Sequence, residues 1–133
     1  VQFEHHFIRE KIISPGLDPL MKMMDWDRVI EGTKISPYVF RIKSNLLLQT
    51  QSKANTPHID FSDPHTVLLY YVNDSDGPTK LYNADKTKVV KEIHPKRGRV
   101  VLFDGLTYHA SSSPKDHPCR IVINYNFAGT TFR

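Results

Sequence analysis

From Ser36 onward the sequence is a succession of short β-rich runs broken by turn residues, and that texture limits the folds open to it. The runs are Tyr38 to Leu48, Thr66 to Asn73, Thr87 to Ile93, Arg99 to Asp104 and Arg120 to Phe127. Turn chemistry separates them at Asp74-Ser-Asp-Gly-Pro78, at Pro95-Lys-Arg-Gly98 and from Ser111 to Pro118. Short strands at even spacing, with no helical period between them, predict an all-β core, either barrel or sandwich. Val67-Leu-Leu-Tyr-Tyr-Val72 is apolar on both alternations, which predicts a strand covered on both faces. Residues 1–36 lack this texture and are read as an irregular, partly helical N-terminal part. Within them Met21 to Ile30 predicts a short helix, with Asp18 as its cap and Pro19 in the first turn. At 133 residues the chain is read as a single domain, 1–133, with its β core over 37–133.

Composition narrows the partners. The chain is 39% hydrophobic and 24% charged, enough apolar material for a packed core and against disorder. No apolar run approaches the roughly 18 residues that a membrane span needs, so no membrane partner is expected. The N-terminus lacks the basic-then-apolar pattern of a signal peptide, while the start at Val1 leaves earlier removal of a leader open. Cys119 is the one cysteine, so no internal disulfide forms, and a reducing, intracellular setting is the simpler expectation. Net charge is +4, and Lys86, Lys88, Lys91, Lys96, Arg97 and Arg99 lie within 14 positions. Without interleaved aromatics or a nucleic-acid-binding signature, this cluster is read as a solvated hairpin, and nucleic acid is not an expected partner.

Three features carry chemistry. Thr56-Pro-His-Ile-Asp60 places His58 and Asp60 two residues apart, so on extended backbone an imidazole and a carboxylate point the same way. Alone, such a pair is equally a solvated surface feature. A third ligand changes its meaning, because two histidines and one carboxylate form a facial triad that leaves three positions of an octahedral iron(II) open. His109 is the best-placed third ligand: it follows the apolar run Val100 to Asp104 and a turn at Gly105. His65 is read as a bystander near Asp60, and His5 and His6 carry no assignment. In the last run, Arg120, Val122, Asn124 and Asn126 share one face, and Ile121, Ile123, Tyr125 and Phe127 share the other. The second face is core, whereas the first is either wet or lines a cleft. An arginine in a Val/Ile strand needs a partner, because an unpaired buried charge is costly. That partner is either a protein carboxylate or the far carboxylate of a small dicarboxylic acid whose other end chelates the metal.

The order His58-x-Asp60, His109, Arg120 resembles the 2-oxoglutarate and iron(II)-dependent oxygenase superfamily, in particular its prolyl-hydroxylase-like and small bacteriophage-type members. The flanking segments TVLLYYVNDSDGPTKLY, PKRGRVVLFDGLTYH, CRIVINYNF and RIKSNLLLQT add to the likeness, which covers about residues 38–127. The resemblance implies a double-stranded β-helix, or jelly-roll, with minor N-terminal helical content. It implies Fe(II) on His58, Asp60 and His109. It also implies 2-oxoglutarate anchored by Arg120, with Tyr71 and Asn124 at cosubstrate-contacting positions, and dioxygen as the second cosubstrate. The activity implied is hydroxylation of a C–H bond, in a peptidyl prolyl residue or a small molecule, with release of succinate and carbon dioxide. Two departures stand out. A tyrosine common before the iron motif is replaced in the Leu46-Leu-Leu48 region. Nucleic-acid demethylases of the superfamily carry a second arginine where this chain has Asn126. The competing readings are a non-catalytic jelly-roll metal-binding module and a cupin-type metalloenzyme. Cupins favour a His-x-His start, and Asp60 stands where the second histidine would be.

Overall fold

The computed structural model describes residues 2–9, 12–13, 17–22, 25, 28, 38–50 and 55–129. Nine strands and one short helix can be bounded among these residues, and Arg28 is helical as well. They are β1 (Gln2–Arg9), β2 (Ile12–Ile13), α1 (Leu17–Lys22), β3 (Val39–Leu48), β4 (His65–Tyr71), β5 (Thr79–Tyr82), β6 (Val89–Ile93), β7 (Val100–Asp104), β8 (His109–Ser111) and β9 (Cys119–Ala128). All pairings are antiparallel. They form a six-stranded sheet, β2-β1-β3-β9-β4-β7, and a three-stranded sheet, β6-β5-β8. This is the two-sheet arrangement of a double-stranded β-helix. No helix among the described residues is long and apolar enough to cross a membrane.

Two apolar clusters follow from the alternation of side chains on the large sheet. Ile42, Leu68, Ile123, Tyr125 and Phe127 cover its outer face, where Leu17 and Met21 of α1 pack. Val67, Leu69, Tyr71, Phe103 and Val122 point inward and meet Leu81 and Ile93 of the small sheet. The doubly apolar β4 is thus buried on both sides, as its sequence requires. Both alternations of β9 are buried as well, so its Arg/Asn face is not simply wet: Arg120, Asn124 and Asn126 are 1%, 4% and 0% exposed. The register sets their neighbours. Asn126 stands opposite Arg41 on β3, Asn124 opposite Lys43 and Arg120 opposite Leu47.

Two expectations need correction, and two strands were not foreseen. The N-terminal part is not irregular at its start, because Gln2–Arg9 pairs along β3 from Gln2↔Leu47 to Arg9↔Arg41. Near the sheet edge β1 is largely exposed, so it needs no apolar face to signal it. The helix begins earlier than predicted, at Leu17, and takes Asp18 and Pro19 into its first turn. Proline fits any first-turn position, so it could not mark the boundary. Most of the predicted stretch beyond Lys22 lies outside the described residues. Finally, β5 and β8 were not legible: strands of 4 and 3 residues are too short to show a period.

Candidate functional site

His58 and His109 are brought together by backbone hydrogen bonds between two distant segments. The His58 N–H donates to the His109 carbonyl at 3.0 Å, and the His109 N–H donates back at 3.0 Å. Their rings lie 4.7 Å apart, centroid to centroid. In each ring Nδ1 faces a nearby backbone carbonyl, that of Thr56 at 3.3 Å and that of Thr107 at 2.9 Å. This assigns the proton to Nδ1 and leaves Nε2 with its lone pair. Both Nε2 atoms face the same oxygen, Oδ1 of Asp60, at 3.5 Å from His58 and 3.9 Å from His109. The ligand atoms of these three residues lie within 4.8 Å of one another and could hold a metal ion. Two imidazole nitrogens and one carboxylate oxygen suit a six-coordinate iron(II) with three open positions.

The second oxygen of Asp60 is engaged elsewhere. Oδ2 lies 2.9 Å from Nη2 of Arg41 and accepts from the amides of Asn124 at 3.2 Å and Asn126 at 3.4 Å. Burial pushes the Asp60 pKa up, but His58, Arg41, His109 and Asn124 together hold it far below the usual carboxylate range. The two histidines diverge. His58, at the mouth, is raised above its ordinary value, chiefly by the Asp60 carboxylate. His109 is lowered by its burial, which favours the neutral imidazole that a metal requires.

Arg120 lies on the wall of the same cavity, about 320 Å³ in volume, with Thr79 and Asn124. Its Nε donates to the Gly77 carbonyl at 2.8 Å, and Nη2 donates to the Thr79 hydroxyl at 2.7 Å. The Thr79 oxygen also lies 2.7 Å from the Tyr71 hydroxyl, and the guanidinium sits 5.7 Å from the centre of the Tyr71 ring. No carboxylate pairs with Arg120 among the described residues. Burial accordingly pulls its pKa down, with only Tyr71 working against this.

The remaining histidines do not converge on this point. His65 is buried beneath Gly105 with Nδ1 on the Asp63 carbonyl, while His6, His94 and His117 sit beside Glu4, Glu92 and Asp76. Arg41 and Thr79 were missed. Arg41 was findable, since Arg41, Lys43 and Asn45 fall on one alternation of this run and Ile42 and Leu46 on the other, broken only by Ser44, much as the polar and apolar residues of β9 do. Thr79 carried no signal, because its strand did not.

A jelly-roll with two histidines and a carboxylate converging beside a cavity defines the class of non-haem metal-dependent β-barrel enzymes. Within that class the family is shown by sequence: the model of the 2OG-Fe(II) oxygenase superfamily matches residues 45–128, and the chain belongs to that family. It is therefore an oxygenase whose cofactor and cosubstrates are Fe(II), 2-oxoglutarate and dioxygen. No curated protein matches it in sequence. Solved structures share the fold at low identity. An oxidoreductase of the 2OG-Fe(II) oxygenase family from Burkholderia pseudomallei is 13% identical with a TM-score of 0.73, over 99% of this chain and 72% of that one. EvdMO1 is 16% identical with a TM-score of 0.73, over 97% of this chain and 36% of that one. A prolyl-4-hydroxylase from Pseudomonas putida is 15% identical with a TM-score of 0.58, over 95% and 68%. The chain thus spans about a third of EvdMO1 and roughly 70% of the other two.

Proposed function

We propose that His58, Asp60 and His109 hold the iron and that Arg120 anchors the distal carboxylate of 2-oxoglutarate. In this reading the whole chain, 1–133, acts as one jelly-roll domain that hydroxylates a C–H bond of its substrate, releasing succinate and carbon dioxide. The observation that carries it is Arg120: a guanidinium 1% exposed, without a carboxylate partner among the described residues, on the wall of the cavity that holds the triad. A cation in that position is costly unless an anion enters. A planar fork takes a carboxylate in two parallel hydrogen bonds. Neither a bare metal-binding module nor a cosubstrate-free cupin enzyme accounts for such an arginine.

When bound, iron(II) supplies the activation of dioxygen. The protein's residues supply position. Gly77 and Thr79 fix two edges of the guanidinium, and Tyr71 fixes Thr79. Asn124 ties the wall of the cavity to Asp60. The substrate proposed first is a prolyl residue in a peptide, supported by the motif resemblance and by the shared fold with a prolyl-4-hydroxylase. A small molecule is the second candidate.

The test joins metal titration with turnover. Manganese(II), a redox-silent stand-in, should bind one site in wild type and lose tight binding in His58→Ala and His109→Ala. With iron(II), 2-oxoglutarate and prolyl peptides or small molecules, succinate release should be stimulated by the true substrate. Full metal affinity in both histidine variants would sink the triad. Metal binding without any 2-oxoglutarate binding or turnover would sink the cosubstrate assignment.

A further inference from the structure

Arg41 lies against the oxygen of Asp60 that is turned away from the histidines. Its Nη2 lies 2.9 Å from Asp60 Oδ2, and the two side chains are 14% and 4% exposed. Its Nε donates to Asn126 Oδ1 at 2.8 Å, and Asn126 in turn donates through Nδ2 to Asp60 Oδ2 at 3.4 Å. Arginine, asparagine and aspartate thereby form one cluster, joined by two hydrogen bonds through Asn126 and by an ion pair between Arg41 and Asp60. The ring of Phe61 backs the guanidinium, 4.5 Å from its carbon to the ring centre. Backbone geometry contributes too. The β3–β9 register shifts between Val39 and Arg41, and an irregularity of that kind re-aims side chains. It leaves Arg41 directly opposite Asn126.

We propose that Arg41 is a positioning residue for the metal carboxylate: it pins Asp60 so that Oδ1 alone is presented to the metal. The proposal rests on the reading that His58, Asp60 and His109 are the ligands. Its physical content is a count of coordination sites. A carboxylate bound through one oxygen leaves three positions of an octahedron for a chelating cosubstrate and dioxygen, whereas binding through both oxygens takes one of them away. Oδ2 is held by Arg41, Asn124 and Asn126 and is not free to turn toward the metal. With Arg41 gone, the two amides are too weak to hold the carboxylate against its attraction to a divalent ion.

The probe is cobalt(II), whose visible spectrum reports coordination number, with manganese(II) for affinity. The variants are Arg41→Met and Arg41→Lys. In Arg41→Met the released Oδ2 is free to join Oδ1 on the metal, so metal affinity should not fall, the cobalt spectrum should change, and 2-oxoglutarate should bind the manganese-loaded protein about tenfold to a hundredfold more weakly. Arg41→Lys keeps the charge but cannot reach Asp60 and Asn126 with a fork, so its loss should be partial. If Arg41→Met does not fold, Arg41→Lys decides. Thermal melts of the metal-free variants identify a purely structural role. Lowered stability with an unchanged cobalt spectrum and wild-type 2-oxoglutarate affinity would overturn the proposal while leaving the ligand assignment intact. Absence of metal binding in wild type would overturn both, and the histidine variants tell these failures apart.

Discussion

Arg120 was legible as one residue, because a guanidinium in a Val/Ile strand is a charge in search of a partner. Its nearest partners are neutral, the Gly77 carbonyl and the Thr79 hydroxyl, so the charge itself remains uncompensated among the described residues. Arg120→Ala should therefore keep its metal and lose 2-oxoglutarate. Removing a buried charge-assisted contact costs about 2–5 kcal/mol, roughly 30-fold to several-thousand-fold in affinity. Arg120→Lys should fall between, with the charge kept and the fork lost. Calorimetric titration of 2-oxoglutarate into manganese-loaded protein gives both values, and equal affinities in wild type and Arg120→Ala would remove the cosubstrate role. His58 and Asp60 were legible for a similar local reason, since a two-residue spacing on extended chain decides direction without knowledge of the rest. Tyr71 is read as a cosubstrate contact only through resemblance; its hydroxyl meets that of Thr79, which accepts from Arg120.

Among the elements, the turn before β5 matters most. Gly77 presents the carbonyl that holds Arg120, and it does so against the backbone that follows β8. A Cβ added there would lie 2.2 Å from the Ser112 carbonyl oxygen, 2.9 Å from the Ser113 carbonyl carbon and 3.0 Å from Pro114 N. None of these is a flexible side-chain end, so Gly77→Ala must push the two segments apart. Overpacking of this kind costs about 1–3 kcal/mol. The displaced carbonyl should also weaken 2-oxoglutarate binding while leaving metal affinity near wild type. Denaturant unfolding of the metal-free protein, together with cosubstrate titration, checks both halves; unchanged stability would mean that the approach relaxes without cost. Asp76 adds a second tie between the same segments, accepting from the backbone N–H groups of Lys115 at 3.0 Å and Asp116 at 2.8 Å. The turn itself was visible from Asp74 to Pro78, but its contact with residues 112–117 was not, because chain reversal leaves no periodic mark.

For the molecule as a whole, charge is the property that reaches furthest. The net charge is +4, and all six basic residues from Lys86 to Arg99 are exposed, as a solvated hairpin requires. Any binding to nucleic acid should rest on phosphate contacts and their released counterions. It should be weak, with a dissociation constant of about 10⁻⁶ M or above at physiological salt, and should fall steeply as salt rises. Fluorescence anisotropy with unrelated duplexes across a salt series measures this. Tight binding that discriminates between sequences would instead place a reading surface on this face.

By itself, the sequence determined the strand texture, the direction shared by His58 and Asp60, and the division of β9 into a polar and an apolar face, whereas the burial of the polar face was decided by the fold. Each follows from a period of two along an extended backbone, which a few adjacent residues suffice to set. Only the tertiary structure decided which oxygen of Asp60 faces the histidines, which groups hold Arg120, and that the N-terminal segment joins the large sheet. Arg41 and Asn126 are 85 residues apart, and Arg120 and Gly77 are 43 apart. Contacts at such separations depend on the register in which distant strands pair, and the sum of many backbone bonds and packed side chains selects that register, which no local pattern contains.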